Sequence, residues 1–104
     1  MLKFLLIMAG AVCTLRAQSV FERDVQPLLQ KYCLACHSAA MHTGDIDLEQ
    51  FRGAANVLRH PGVWQKVAEQ LNLGEMPPRA MPQPTAAERL RLVEWTRPTL
   101  KQAA

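Results

Sequence analysis

The sequence predicts an all-α fold with three main helices. Three observations lead there. Apolar residues recur at helical spacing in three separate stretches, two of these stretches open on capping boxes, and no alternating apolar-polar run is long enough for a strand. In the first stretch Ser19 stands three residues before Glu22, the spacing of a capping box, and Phe21, Val25, Leu28 and Tyr32 then fall on one helical face. Pro27 interrupts this pattern, so it either kinks the helix or sits in the first turn of a second one with Asp24 near its start. The helix runs directly into Cys33.

Between Ser38 and His60 no period dominates. Thr43-Gly44-Asp45 reads as a turn, and a short helical piece is expected near Leu48 to Ala55. Ile46 and Leu48 alternate with acids over too few residues to make a strand. Pro61 and Gly62 open the second helix, with Val63 or Trp64, Val67 and Leu71 as its apolar stripe and Gly74 as its stop. Then come four prolines in eight residues, Pro77 to Pro84, which forbid a helix and favour a stiff, extended segment. Thr85-Ala86-Ala87-Glu88 is the second capping box. The third helix follows, with Leu90 and Val93 in one row and Leu92 and Trp95 beside it, and Pro98 is expected to bend or end it.

The chain has 104 residues, which suits one domain. Met1 to Ala17 reads as an export signal: Lys3 supplies the positive start, Phe4 to Val12 an apolar centre, and Leu15-Arg16-Ala17 a cleavage site. The apolar run is short of the roughly 20 residues of a membrane span. No membrane span is therefore expected unless this segment stays uncleaved as an anchor. The domain proper is 18–104, exported to the periplasm or secreted. The formal charge is +3, but Lys3 and Arg16 fall in the signal and no acid does, so ten basic residues face nine acidic ones and the net charge drops to +1. That balance excludes a basic stripe for nucleic acid and offers no steering clue. A domain this small buries a limited core and needs a staple.

Of three cysteines, Cys13 lies in the signal, leaving Cys33 and Cys36. Cys33-Leu34-Ala35-Cys36-His37 is C-x-x-C-H, the attachment motif of a c-type haem. Two thiols at this spacing add across the vinyl groups of one haem edge, and the histidine that follows brings its imidazole to the iron. Chance occurrence in a chain this short is on the order of one in a thousand, which favours one covalent haem c as cofactor. A redox disulfide would want a βαβ context, and a zinc site a second ligand pair, for which His42 and His60 have no standard spacing. For the second axial position the candidates are Met41, His42, His60, Met76 and Met81. Met41 and His42 follow His37 too closely to reach the opposite face of a ring. Met76 and Met81 lie in the stiff proline-rich segment, which suits presentation of a thioether, and position favours Met76 with Met81 as runner-up.

These motifs together make the chain resemble the class I cytochrome c superfamily, most closely the planctomycete-type cytochrome c domain found near the N-terminus of large exported proteins. Phe21-Glu22-Arg23-Asp24-Val25-Gln26-Pro27-Leu28-Leu29 is similar to that family's lead-in helix. Cys33 to His37 is similar to its attachment motif, and Thr43 to Leu48 to its glycine-leucine turn, with Asp45 where a second glycine is common. Trp64-Gln65-Lys66-Val67, Leu71 and Gly74-Glu75-Met76-Pro77-Pro78 resemble its second helix and M-P-P motif, and Leu92-Val93-Glu94-Trp95 its closing helix. The resemblance spans Ser19 to Thr96. It implies the class I cytochrome c fold, three main helices around one haem, with His37 as proximal and Met76 as distal iron ligand and Phe21 against Trp95 where the first and last helices cross. Arg52, Arg59, Arg79 and Trp64 are candidates to meet the haem propionates.

The expected function is one-electron transfer, an electron carrier rather than an enzyme, whose partners are redox proteins or an attached redox domain. Family members usually continue for hundreds of residues, so the chain is read as a stand-alone cytochrome or the front of a longer protein. Two rival readings stand beside it: a haem with an open sixth position that binds peroxide or another small ligand, and a non-haem C-x-x-C dithiol or metal protein.

Overall fold

A computed structural model of the chain describes residues 3–5, 10 and 17–102. The expected signal, Met1 to Ala17, lies outside the described residues apart from those few. Among the described residues the fold is helical and has no strand; no helix is long and apolar enough to cross a membrane. Among the described residues there are four α-helices, the short one being α2: α1, Gln26–Tyr32; α2, Ala54–Arg59; α3, Pro61–Leu73; and α4, Ala86–Gln102. A π-helical turn, Phe21–Val25, leads into α1, and a 3-10 turn covers Thr43–Asp45.

Local chemistry explains most boundaries. The Glu22 N–H donates to Ser19 Oγ at 3.1 Å, and the serine hydroxyl donates back to Glu22 Oε1 at 3.2 Å. Pro27 lies in the first turn of α1, just after the π-helical turn, where its missing N–H costs nothing; of the two outcomes foreseen for Pro27, this is the first turn of a second helix. In the turn at Thr43–Asp45, Gly44 (φ 67°) and Asp45 (φ 59°) are both left-handed, a conformation glycine takes freely and aspartate tolerates. The short helix starts later than expected: Leu48 and Phe51 are buried in a loop, and α2 begins only after the extended Gly53. Pro61 opens α3, and Gly74 closes it in the left-handed conformation with the paired bonds of a Schellman cap, Gly74 N–H to Leu71 O (3.2 Å) and Glu75 N–H to Gln70 O (3.0 Å).

The fourth helix corrects two expectations. It does not end at Pro98 but runs on to Gln102. Pro98 removes one ladder bond, and next to that gap the Thr99 hydroxyl donates to the Trp95 carbonyl at 2.6 Å, giving the turn an added side-chain bond. Leu90 also turns outward and is 55% exposed, while Leu92 and Thr96 are buried. The buried Thr96 hydroxyl is satisfied by the Leu92 carbonyl at 2.7 Å.

The core joins the two ends of the chain. Phe21, Val25, Leu28 and Leu29 pack with Leu48, Phe51, Val57, Trp64, Leu71 and Leu92. Phe21 meets Trp95 at 5.1 Å between ring centroids, the expected contact, and Trp64 is fully buried with Phe21, Phe51 and Trp95 around it at 6.1, 5.4 and 5.9 Å. A second link is polar. Thr85 and Glu88 form a reciprocal capping box (Thr85 N–H to Glu88 Oε1, 2.9 Å; Glu88 N–H to Thr85 Oγ1, 3.1 Å), and the Tyr32 hydroxyl donates to the same carboxylate oxygen at 2.7 Å. The Thr85 backbone N–H first, and the Tyr32 hydroxyl next, hold the Glu88 carboxyl below its ordinary range. A carboxyl lowered in this way stabilises the fold above the ordinary carboxylate pKa, and the contribution is lost as pH falls through the lowered value. Glu88→Gln is therefore expected to lower the thermal midpoint at neutral pH, with the difference from the parent closing in acid; melts across pH check this. Thr85→Ala, which removes the cap itself, is expected to cost about 1 kcal/mol.

Candidate functional site

The attachment motif sits on a helical turn that prolongs α1. Cys33 N–H still bonds to Leu29 O (2.9 Å), and Cys36 and His37 N–H both bond to Cys33 O (3.3 and 3.0 Å). Positions i, i+3 and i+4 on such a turn share a face, so both thiols and the imidazole come to one wall. The backbone beyond is pinned: Ser38 N–H to Met41 O (2.7 Å), Thr43 N–H to Cys36 O (2.9 Å) and Leu48 N–H to His37 O (2.8 Å) turn the chain back beside the motif. His37 and His42 pair as an isolated antiparallel bridge.

That wall borders a cavity of about 320 Å³, within the range of small-molecule and cofactor sites. Cys33, Cys36 and His37 line it together with Leu29, Leu48 and Leu92, the Lys66, Val67 and Gln70 face of α3, and Met76, Pro77, Pro78 and Met81 of the proline-rich segment. The fold thus brings Met76 and its competitor Met81 to the same cavity as His37; they are 39% and 41% exposed. Met41, His42 and His60 do not line it. Neither do Arg52, Arg59, Arg79 and Trp64: the three arginines are exposed and Trp64 is core. The cation at the cavity is instead Lys66, which shares the Val67 and Gln70 face.

The chemistry of the lining suits a haem. Cys33 and Cys36 are free, half-buried thiols, and burial pushes the Cys33 thiol up to about 11. A redox dithiol has its nucleophilic cysteine lowered, not raised. His37 Nδ1 is buried and meets no hydrogen-bond partner. A polar atom left unpaired in a mostly apolar wall marks a site whose chemistry the protein alone does not complete. Among the described residues no three His, Cys, Asp or Glu side chains gather as a metal site, so a zinc centre has no ligand set here. The residues present fit a flat, largely hydrocarbon group with two points of attachment, one imidazole and one thioether.

Two further side chains reach the proline-rich segment without lining the cavity. Gln83 and Arg89 bond to the carbonyls of the proline-rich segment, and nothing in the sequence pattern marks them, because each bond depends on how the segment folds back on α4.

No curated protein and no solved structure matches the chain. Residues 33–80 match the family model of planctomycete cytochrome C; over this stretch, which carries the attachment turn, the cavity face of α3 and the Met76 segment, the chain is similar to that family.

Proposed function

We propose that the chain is an electron-transfer module with one covalent haem, held by Cys33 and Cys36 through thioethers, with His37 as proximal and Met76 as distal iron ligand. A bound haem supplies the one-electron iron couple. The protein's own part is to hold, orient and shield. The turn at Cys33 to His37 fixes two attachment points and one imidazole on a common wall, and Leu29, Leu48, Leu71 and Leu92 keep water from that wall. Met76 offers a neutral, soft sulfur from a stiff segment. The observation that carries the reading is the convergence of Cys33, Cys36, His37 and Met76 on one apolar cavity.

Export to the periplasm or the cell exterior accords with the apolar N-terminal stretch, and the partners are redox proteins or an attached redox domain. Two tests address this reading. Expressed in an exporting host with haem-attachment machinery, the protein is expected to be coloured, with a mass equal to the polypeptide plus one haem; a colourless product of bare polypeptide mass overturns the haem. In the ferric spectrum, Met76→Ala is expected to abolish the sulfur-to-iron charge-transfer band and Met81→Ala to leave it. The reverse pattern transfers the role to Met81. A high-spin parent that takes up carbon monoxide readily indicates the open sixth position of the rival reading.

A further inference from the structure

Pro77 and Pro78 have no N–H, and a segment rich in proline cannot build its own ladder. Its carbonyls must find donors elsewhere. Here they find two side chains. The two N–H groups of Gln83 Nε2 are shared among the carbonyls of Pro77 (3.0 Å), Pro78 (2.9 Å) and Met81 (3.1 Å). Arg89, half-buried on the first turn of α4, donates through Nη1 to the carbonyls of Leu71 and Met76, both at 3.0 Å, and through Nη2 to Gln83 Oε1 at 3.1 Å. Arg89 makes no ion pair among the described residues, so its guanidinium fork is given over to these acceptors. The carbonyl of Met76 is thereby tied to the C-terminal end of α3 and to α4 at once.

We propose that Arg89 and Gln83 are positioning residues that hold the Met76–Met81 segment as a rigid strap, so that the Met76 sulfur is presented to the cavity already in place. The inference rests on Met76 as the distal ligand. The physical basis is preorganisation: a ligand whose backbone is already ordered loses less freedom when it binds, and charge-assisted bonds from a fixed fork order it better than neutral ones. With the strap loosened, Met76 yields its place more readily to an outside ligand.

The test is an imidazole titration of the ferric haem-loaded protein, comparing the parent with Gln83→Glu, Arg89→Lys, Met76→Ala and Thr85→Ala. Gln83→Glu keeps the acceptor for Arg89 and deletes both N–H donors to the strap; Arg89→Lys keeps the charge and loses the fork. Both are expected to bind imidazole about tenfold more tightly than the parent, with a weakened sulfur-to-iron band, and Met76→Ala to bind it most tightly. Thr85→Ala loosens the start of α4 without touching the strap, and is expected to lower the thermal midpoint while leaving imidazole binding at the parental level. Parental affinity in both strap variants, with Met76→Ala raised, overturns the strap and leaves the ligand standing. A rise in Thr85→Ala equal to theirs also overturns the strap, as general loosening then explains the effect. Parental affinity in Met76→Ala overturns the ligand assignment and the strap with it.

Discussion

Replacing Cys33 and Cys36 together by alanine is expected to abolish covalent haem altogether, giving a protein of bare polypeptide mass from a host in which the parent is coloured. Each single replacement keeps one thiol on the wall and is expected to retain some attached haem; the double replacement keeps none. The effect reaches beyond the cofactor. Without haem the apolar lining of Leu29, Leu48, Leu71 and Leu92 is left facing water, and roughly 25 cal/mol is lost for each Å² of apolar surface the group would have covered. Total stabilities of small domains are about 5–15 kcal/mol. The double variant is therefore expected to melt well below the parent and with less cooperativity. Mass spectrometry under denaturing conditions and a thermal melt check both halves. A double variant that still carries haem through denaturation would show that the attachment lies elsewhere.

Trp64→Ala is the second large effect. The side chain is fully buried at the meeting of Phe21, Phe51 and Trp95, and its loss is expected to cost about 3–5 kcal/mol. Trp64→Phe is expected to cost markedly less than its volume alone implies. The indole Nε1 is buried without a hydrogen-bond partner, so phenylalanine removes an unpaired donor together with part of the ring. Denaturant unfolding of both variants, compared at a common slope, checks the order. Equal losses for the two would mean that the Nε1 proton has a partner in the haem-loaded protein that phenylalanine cannot replace.

Much of the helical frame was legible because each element carries its own punctuation. The Thr85–Glu88 box, Pro61 at the head of α3 and Gly74 at its end act within a few residues, so local spacing reveals them. The Cys33–His37 motif is equally local, and one helical turn turns its spacing into a shared wall. What escaped depends on contacts between distant parts. Pro98 would break an isolated helix, but α4 continues because Leu92 and Trp95 before it and Leu100 after it pack against the core. Leu90 belongs to the apolar pattern, yet α4 is rolled so that Leu92 faces the core. Gln83 and Arg89 have no periodic or motif signature, since their acceptors are carbonyls of a segment whose path only the folded chain defines. Lys66 stands beside Val67 and one turn before Gln70 on α3, and only the packing of α3 against the attachment turn shows that this face borders the cavity.

The pairing of Phe21 with Trp95, and of Tyr32 with Glu88, has a practical consequence for where the chain can be cut. The stretch 33–80 matches the family model, but part of the apolar lining of its cavity comes from outside it: Leu29 precedes it, and Leu92 follows it. The donors to the Met76 and Pro77 carbonyls also come after it, at Arg89 and Gln83. An excised 33–80 peptide would keep the chemistry-bearing residues and lose the scaffold that gathers them. A fragment that keeps these contacts must reach back to Phe21 and forward to Leu100, so that each end of the domain serves as the other's support.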